Sequence, residues 1–213
     1  GRLAPGGLLA TNWHIRLAEP GTQEVAWEIR EAKLGTLFAA STTLSLGILK
    51  DPRPGYALAG LPNLSAWWCE SGWKIGRERR LPETGKVRPI QISAARGETE
   101  AAQLVLRPRS QITLHSARIS PLRPRQGKGG TLAAELLEVA YVQVQRPTDR
   151  TGEPGWYPDP LPPLTLPMEL AGGANQPLWI SVKVDRLASA GEYTGEVELS
   201  TSAGRLRVPL AVE

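Results

Sequence analysis

Three tryptophans, Trp67, Trp68 and Trp73, fall within residues 65–74 (SAWWCESGWK), and Trp156 stands beside Tyr157 in a proline-rich stretch. A flat aromatic face stacks on the apolar face of a sugar ring, while neighbouring Glu, Asn or Arg groups bind its hydroxyls. These five aromatics are therefore the candidate substrate-binding residues, and a carbohydrate is the candidate ligand. The competing use of such rings is packing, because buried aromatics dominate core energetics. Successive strand residues face opposite sides, so at least one of Trp67 and Trp68 is expected in a core.

Hydrolysis of a glycosidic bond needs two carboxylates, one to protonate the leaving oxygen and one as nucleophile, base or orienting group. No two acids are adjacent in this chain; the nearest groupings are Glu98 with Glu100, and Asp149, Glu153 and Asp159. The first pair precedes a strand, where a solvated charge is the default. The second offers the hard oxygens that calcium prefers, but its spacing matches no calcium loop, and no metal or cofactor is expected. The two histidines, His14 and His115, lie in no nucleophile motif. Cys69 is alone, which excludes an internal disulfide and a cysteine-based metal cluster. No catalytic residue is assigned to this chain.

The elements that must position the aromatics are strands. In residues 178–185 (LWISVKVD), Leu178, Ile180, Val182 and Val184 alternate with Trp179, Ser181, Lys183 and Asp185. Residues 192–200 (EYTGEVELS) and 205–212 (RLRVPLAV) alternate in the same way, and the turn 201–204 joins them as a hairpin. That hairpin sets Glu196 and Glu198 near Arg205 and Arg207, a favourable cross-strand pairing. Pro209 lacks a donor, so the last strand is expected at a sheet edge. Residues 87–94, 101–107 and 111–119 are further short strands, and residues 25–31 and 44–48 alternate again. Residues 131–145 are ambiguous, TLAAELLEVA having helical spacing and YVQVQ a strand pattern; a strand across 138–145 is expected, after a helical turn. Many short strands without regular strand–helix alternation point to an all-β fold, an antiparallel sandwich of two packed sheets. Residues 148–167 contain six prolines, which exclude helix and central strand, and read as a long crossover loop between the sheets.

With 213 residues the chain can bury a core without disulfides. Residues 1–60 are expected to add strands to the same sandwich, and residues 61–213 to form its main body. The 22 Gly and 19 Pro agree with heavily punctuated strands. The net charge of +4 is spread out, and its densest run, residues 118–128 (RISPLRPRQGK), is broken by Pro and Gly. With no basic face interleaved with aromatics, no nucleic-acid partner is expected. The most apolar stretch, residues 34–49 (LGTLFAASTTLSLGIL), falls short of the run of about 18 apolar residues a membrane span needs. It reads as two buried strands, and no membrane partner is expected.

Four stretches occur in one order: residues 94–108 (AARGETEAAQLVLRP), 141–164 (YVQVQRPTDRTGEPGWYPDPLPPL), 172–184 (GGANQPLWISVKV) and 190–199 (AGEYTGEVEL). Together they resemble the N-terminal β-sandwich domain of glycoside hydrolase family 123 and its relatives, from about Trp67 to the C-terminus. The resemblance implies a sandwich followed by a (β/α)8 barrel that removes terminal N-acetylgalactosamine by a substrate-assisted mechanism using an adjacent Asp-Glu pair. This sequence has no such pair and stops near the point where the family's sandwich ends, so no catalytic residue carries over. The expected role is a non-catalytic accessory domain packed against a catalytic barrel absent from this chain, in an extracellular or periplasmic protein. The alternative is a carbohydrate-binding module built on the five aromatics.

Overall fold

Period-two alternation of apolar residues pairs strands into sheets with one face against a core, and the chain does this twice. The computed structural model describes residues 15, 21–31, 35–51, 53–82, 87–126, 129–148 and 152–213. The first strands, β1 (Gly21–Glu31) and β2 (Gly35–Leu46), pair only with each other as a two-stranded antiparallel sheet. A single 3-10 turn, Ile48–Lys50, follows. One main sheet then has the order β3 (Tyr56–Ala57), β4 (Leu64–Glu70), β6 (Thr99–Pro108), β13 (Gln176–Lys183), β9 (Ala133–Glu138). The other has the order β12 (Met168–Leu170), β7 (Ile112–Ile119), β14 (Tyr193–Thr201), β15 (Gly204–Val212), β5 (Ile90–Ile92), with β8 (Arg123–Pro124) also pairing with β14. Strands β10 (Tyr141–Val144) and β11 (Gly155–Pro158) form a further antiparallel pair. All these strand pairings are antiparallel except that of β15 with β5.

One apolar cluster lies between the two large sheets. Trp68, Leu104 and Ile180 enter it from the five-stranded sheet, and Leu114, Val197 and Val208 from the facing one. The protein is thus an all-β sandwich. Of the two arginines expected near Glu196 and Glu198, Arg207 lies 3.7 Å from Glu198 and 3.8 Å from Glu196, while Arg205 stands opposite Ser200. Arg118 of β7 also pairs with Glu198.

Three sequence expectations change. Residues 34–49 do not make two buried strands: residues 35–46 are one strand, and none of its described residues is buried. A run of three polar residues, Ser41, Thr42 and Thr43, interrupts its apolar ones, and its partner β1 belongs to neither large sheet. The stretch read as a helical turn is strand β9, because the edge of β13 offers a complete set of partners from Ala133 to Glu138. The strand expected over 138–145 is accordingly broken at Val139 and Ala140, whose N–H groups donate to the Pro177 and Pro160 carbonyls. Finally, β15 is not an edge throughout, since Leu210–Val212 pair with β5. Pro209 is tolerated there for a specific reason. Its partner Glu196 turns both its N–H and C=O away, toward Ser120, so the pair exchanges no hydrogen bond and no donor is missed.

The proline-rich segment crosses between the sheets. After β11, the carbonyls of Pro160 and Pro162 accept from Ala140 and Glu138 beside the β9 edge, and the chain then enters β12 on the other sheet. We expect Leu104→Ala, at a fully buried position facing the sandwich core, to cost about 2–5 kcal/mol. Leu161→Ala, in the exposed crossover, should cost under about 0.5 kcal/mol. Urea denaturation with unchanged slopes would check both; equal costs at the two sites would contradict the placement of the core.

Candidate functional site

The five-stranded sheet is buried on both faces at its centre. Strand β6 has five successive buried residues, Ala102 to Leu106, because its outward face is covered as well. Trp67 and Cys69 of β4 and Val105 of β6 project there and form a second apolar cluster with Ile75. The cover is the segment 71–82, which lies across the sheet.

Each carbonyl that the cover buries needs a donor. Gln103 donates to the Trp73 carbonyl at 2.8 Å, and the Tyr141 hydroxyl to that of Ile75 at 2.9 Å. The Asn175 amide donates to the carbonyls of Gly76 at 2.9 Å and Arg79 at 2.8 Å, while its backbone N–H reaches Arg77 at 2.8 Å. Arg107 adds a second donor to the Arg79 carbonyl at 3.1 Å. Gly76 is obligatory for close approach, since a Cβ there would stand 2.5 Å from the Leu49 carbonyl oxygen. Gly55 has φ +116° and its Cβ position falls 2.6 Å from the Trp67 ring, so only glycine fits.

Beneath the cover Arg79 is 2% exposed. Its guanidinium sits 4.3 Å from the Trp67 ring centroid and donates to the Pro54 carbonyl. Its Nε and Nη1 have no hydrogen-bond partner. Burial lowers its pKa, and the nearby Cys69 and Asp51 oppose that shift. Burial likewise pushes the Cys69 thiol up to about 12, with Arg79 pulling the other way. At Asp51 burial alone would raise the pKa, but hydrogen bonds and charge from Arg53 outweigh it and the carboxyl is lowered. That pairing is bidentate, with Nε 3.0 Å and Nη2 2.9 Å from the two carboxylate oxygens.

A groove of about 200 Å³ opens along the outer rim of the cover. Arg77 and Glu78 come from the cover, Leu49 and Lys50 from the 3-10 turn, and Glu153 and Trp156 from the proline-rich segment. Lys50 and Glu153 form an ion pair at 3.1 Å across it. The Arg77 guanidinium carbon is 5.6 Å from the ring centroids of both Tyr141 and Trp156. Tyr141 faces Pro158 and Gln143 faces Trp156 across the β10–β11 pair, so Tyr141 and Trp156 share its face. The Tyr157 hydroxyl donates to the Glu153 carbonyl at 2.9 Å and accepts from the Glu153 N–H at 3.1 Å, which closes the turn before β11.

The five predicted aromatics divide. Trp67 (1% exposed) lies under Arg79, and Trp68 (4%) lies in the sandwich core, 4.8 Å from the Tyr56 ring, with its N–H on the Arg88 carbonyl. Trp73 (41%) and Trp156 (45%) reach the surface, and Tyr157 is half-buried. Of the acids, Glu98 accepts from the Ala95 N–H and holds a turn, and Glu100 is half-buried in β6. Glu153 and Asp159 do not converge, each being paired with a different lysine, Lys50 and Lys74. His115 is exposed on β7, while His14 and Asp149 lie outside the described residues. Among the described residues no three His, Cys, Asp or Glu side chains form a metal-holding group, and no helix is long and apolar enough to cross a membrane. Sequence reasoning missed Arg77, Glu78, Lys50 and Tyr141. The one available signal was Gln103, a lone polar residue within the apolar run AAQLVL, which marks a buried acceptor beyond the sheet.

No protein-family model matches the chain, and no curated protein matches it. Among solved structures it is similar to a family 123 glycoside hydrolase from Clostridium perfringens, with a TM-score of 0.51 and 13% identity. The match covers 60% of this chain and only 23% of that hydrolase. It is also matched to the CooA pilin subunit from enterotoxigenic Escherichia coli, with a TM-score of 0.35 and 11% identity over 71% of this chain and 96% of the pilin. At 13% identity, the hydrolase match shows a shared fold.

Two consequences are measurable. Asn175→Ala removes one donor from each of the Gly76 and Arg79 carbonyls, which keep the Arg79 N–H and the Arg107 guanidinium, and we expect a loss on the order of 0.5–1.5 kcal/mol for each hydrogen bond removed. With its thiol at about 12, native Cys69 should resist a disulfide reagent at pH 8, and Asn175→Ala should speed its labelling. Fast labelling of the intact wild-type chain would contradict the cover. The second concerns acid. The Asp51 carboxyl is lowered in the folded state, so it contributes stability above the ordinary carboxylate range and loses it as pH falls through the lowered value. Melting curves should therefore show stability dropping below about pH 4, with a shallower drop in Asp51→Asn; parallel profiles would mean the Arg53 pair contributes nothing.

Proposed function

We propose that this chain is a non-catalytic accessory β-sandwich of a larger glycoside-hydrolase-like protein, acting outside the cytoplasm. Residues 61–213 form its main body, and it packs against and supports a catalytic barrel absent from this chain. The observation that carries this reading is the similarity of its sandwich to less than a quarter of a family 123 hydrolase. A domain of that size leaves the greater part of such an enzyme to be supplied by other sequence. Fold likeness alone does not fix activity, so the test is chemical. The purified chain is assayed against chromogenic glycosides, N-acetylgalactosaminides included, alone and joined to the sequence that continues it in its gene. The reading expects no turnover by the chain alone and turnover by the longer polypeptide. Turnover by the chain alone that disappears in Glu78→Gln or Glu153→Gln would make it a hydrolase in its own right.

A specific observation favours a second reading, a carbohydrate-binding module. Trp156 presents nearly half its surface on a groove that also carries paired and unpaired charged groups. An apolar wall with a few polar groups beside it is the usual composition of a small-ligand site. On this reading Trp73 is the second exposed ring available to an extended glycan, and Tyr157 acts by fixing the turn that carries Trp156.

A further inference from the structure

The charged side chains around the groove differ in how their donors are used. Arg53 is bidentate to Asp51, Arg107 donates to the carbonyls of the cover, and Lys50 is paired with Glu153. The Arg77 guanidinium makes no hydrogen bond or ion pair among the described residues, and adjacent Glu78 does not pair with it. What holds Arg77 is the contact with Tyr141 and Trp156. Ring contacts restrain a guanidinium without consuming any of its five N–H donors. The groove therefore contains a positioned, unspent fork of donors beside an exposed indole.

A planar guanidinium fork matches a carboxylate, taking both oxygens in parallel hydrogen bonds that are stronger than neutral ones. Local charge permits one such anion. Lys50 and Glu153 offset each other, leaving the Arg77 and Arg79 cations against Glu78. The exposed Glu78 carboxylate at the rim opposes a densely charged polyanion, while a single carboxylate per sugar ring can avoid it.

We propose that this groove binds an acidic sugar unit, a pyranose carrying one carboxylate, with its apolar face on Trp156 and its carboxylate on Arg77. The proposal rests on the carbohydrate-binding reading above and adds the class of sugar to it. Arg77 can be substituted without loosening the cover, because the cover is held through backbone carbonyls and not through that side chain.

The experiment is calorimetric titration of the chain with galacturonate and glucuronate oligosaccharides, each compared with its methyl ester and with a neutral oligosaccharide of equal length. The acid should bind and its ester should bind more weakly, by about ten- to a hundredfold, the worth of hydrogen bonds to a charged group. Arg77→Gln should erase the preference for acid over ester, and added salt should weaken the acid alone. Trp156→Ala should abolish binding of both, with the melting temperature confirming the fold of each variant. The acid–ester comparison uses the wild-type chain, so it stands even if a variant misfolds. Equal binding of acid, ester and neutral sugar would overturn the acidic-sugar proposal and leave the carbohydrate-binding reading intact. Binding to none of them would overturn both.

Discussion

The surface of this protein depends on how a segment of chain can lie flat against a β-sheet. Where residues 71–82 are buried, as at Ile75, Gly76 and Arg79, they bring backbone carbonyls toward a face without water, and each must be met. Residues from three distant parts of the sequence meet them: Gln103 and Arg107 on β6, Tyr141 at the start of β10, and Asn175 just before β13. Asn175 carries the largest single share, with three of its own hydrogen bonds placed on a stretch of four residues. The cluster around Cys69, the burial of Trp67 and the position of Arg77 all follow from that attachment. Without it the outer face of β4 and β6 would be an apolar sheet face in water.

Closing the cover also traps charge. Arg79 enters the buried layer with its backbone, and its guanidinium exchanges water for one carbonyl, the face of Trp67 and the field of Asp51. Two of its nitrogens stay unpaired, a cost the hydrogen-bonded loop must sustain. The positive charge it leaves just below the groove adds to that of Arg77 at the rim, where Lys50 is offset by Glu153. The same cover thus creates an apolar layer inside and a cationic one at its margin.

The sandwich was legible in the sequence wherever one strand face meets the core and the other meets water. Strands β13, β14 and β15 show that alternation, and their limits fall within two residues of those the pattern marks. Legibility failed where a strand's surroundings are not of that kind. The edge strand β9 has its identity decided by the partner β13, not by its own spacing, and β2 keeps apolar residues although no large sheet receives them. The candidate groove was harder still. Its parts come from residues 49–50, 76–79 and 153–156, and only the tertiary arrangement of a loop, a turn and a strand pair brings them together. Asn175 and Arg107 read in sequence as ordinary solvated polar residues, since nothing local reveals the carbonyls they serve.

The adjacent Trp67 and Trp68 show why residue type alone could not locate a site. Strand geometry forces them to opposite faces, and on an ordinary two-layer sandwich the outward one would be the exposed ring. Here the chain that follows them folds back over Trp67 and seals it, while Trp73, on that covering segment, is carried to the outside. Trp156 is exposed for a different reason, on a two-stranded pair whose turn is fixed by the Tyr157 hydroxyl. A ring held in that way has little conformational freedom left to lose when a ligand meets it. The exposed aromatic set is therefore decided by which segments act as cover and which are covered. That distinction belongs to the hydrogen bonds of Asn175 and its companions rather than to the tryptophans themselves.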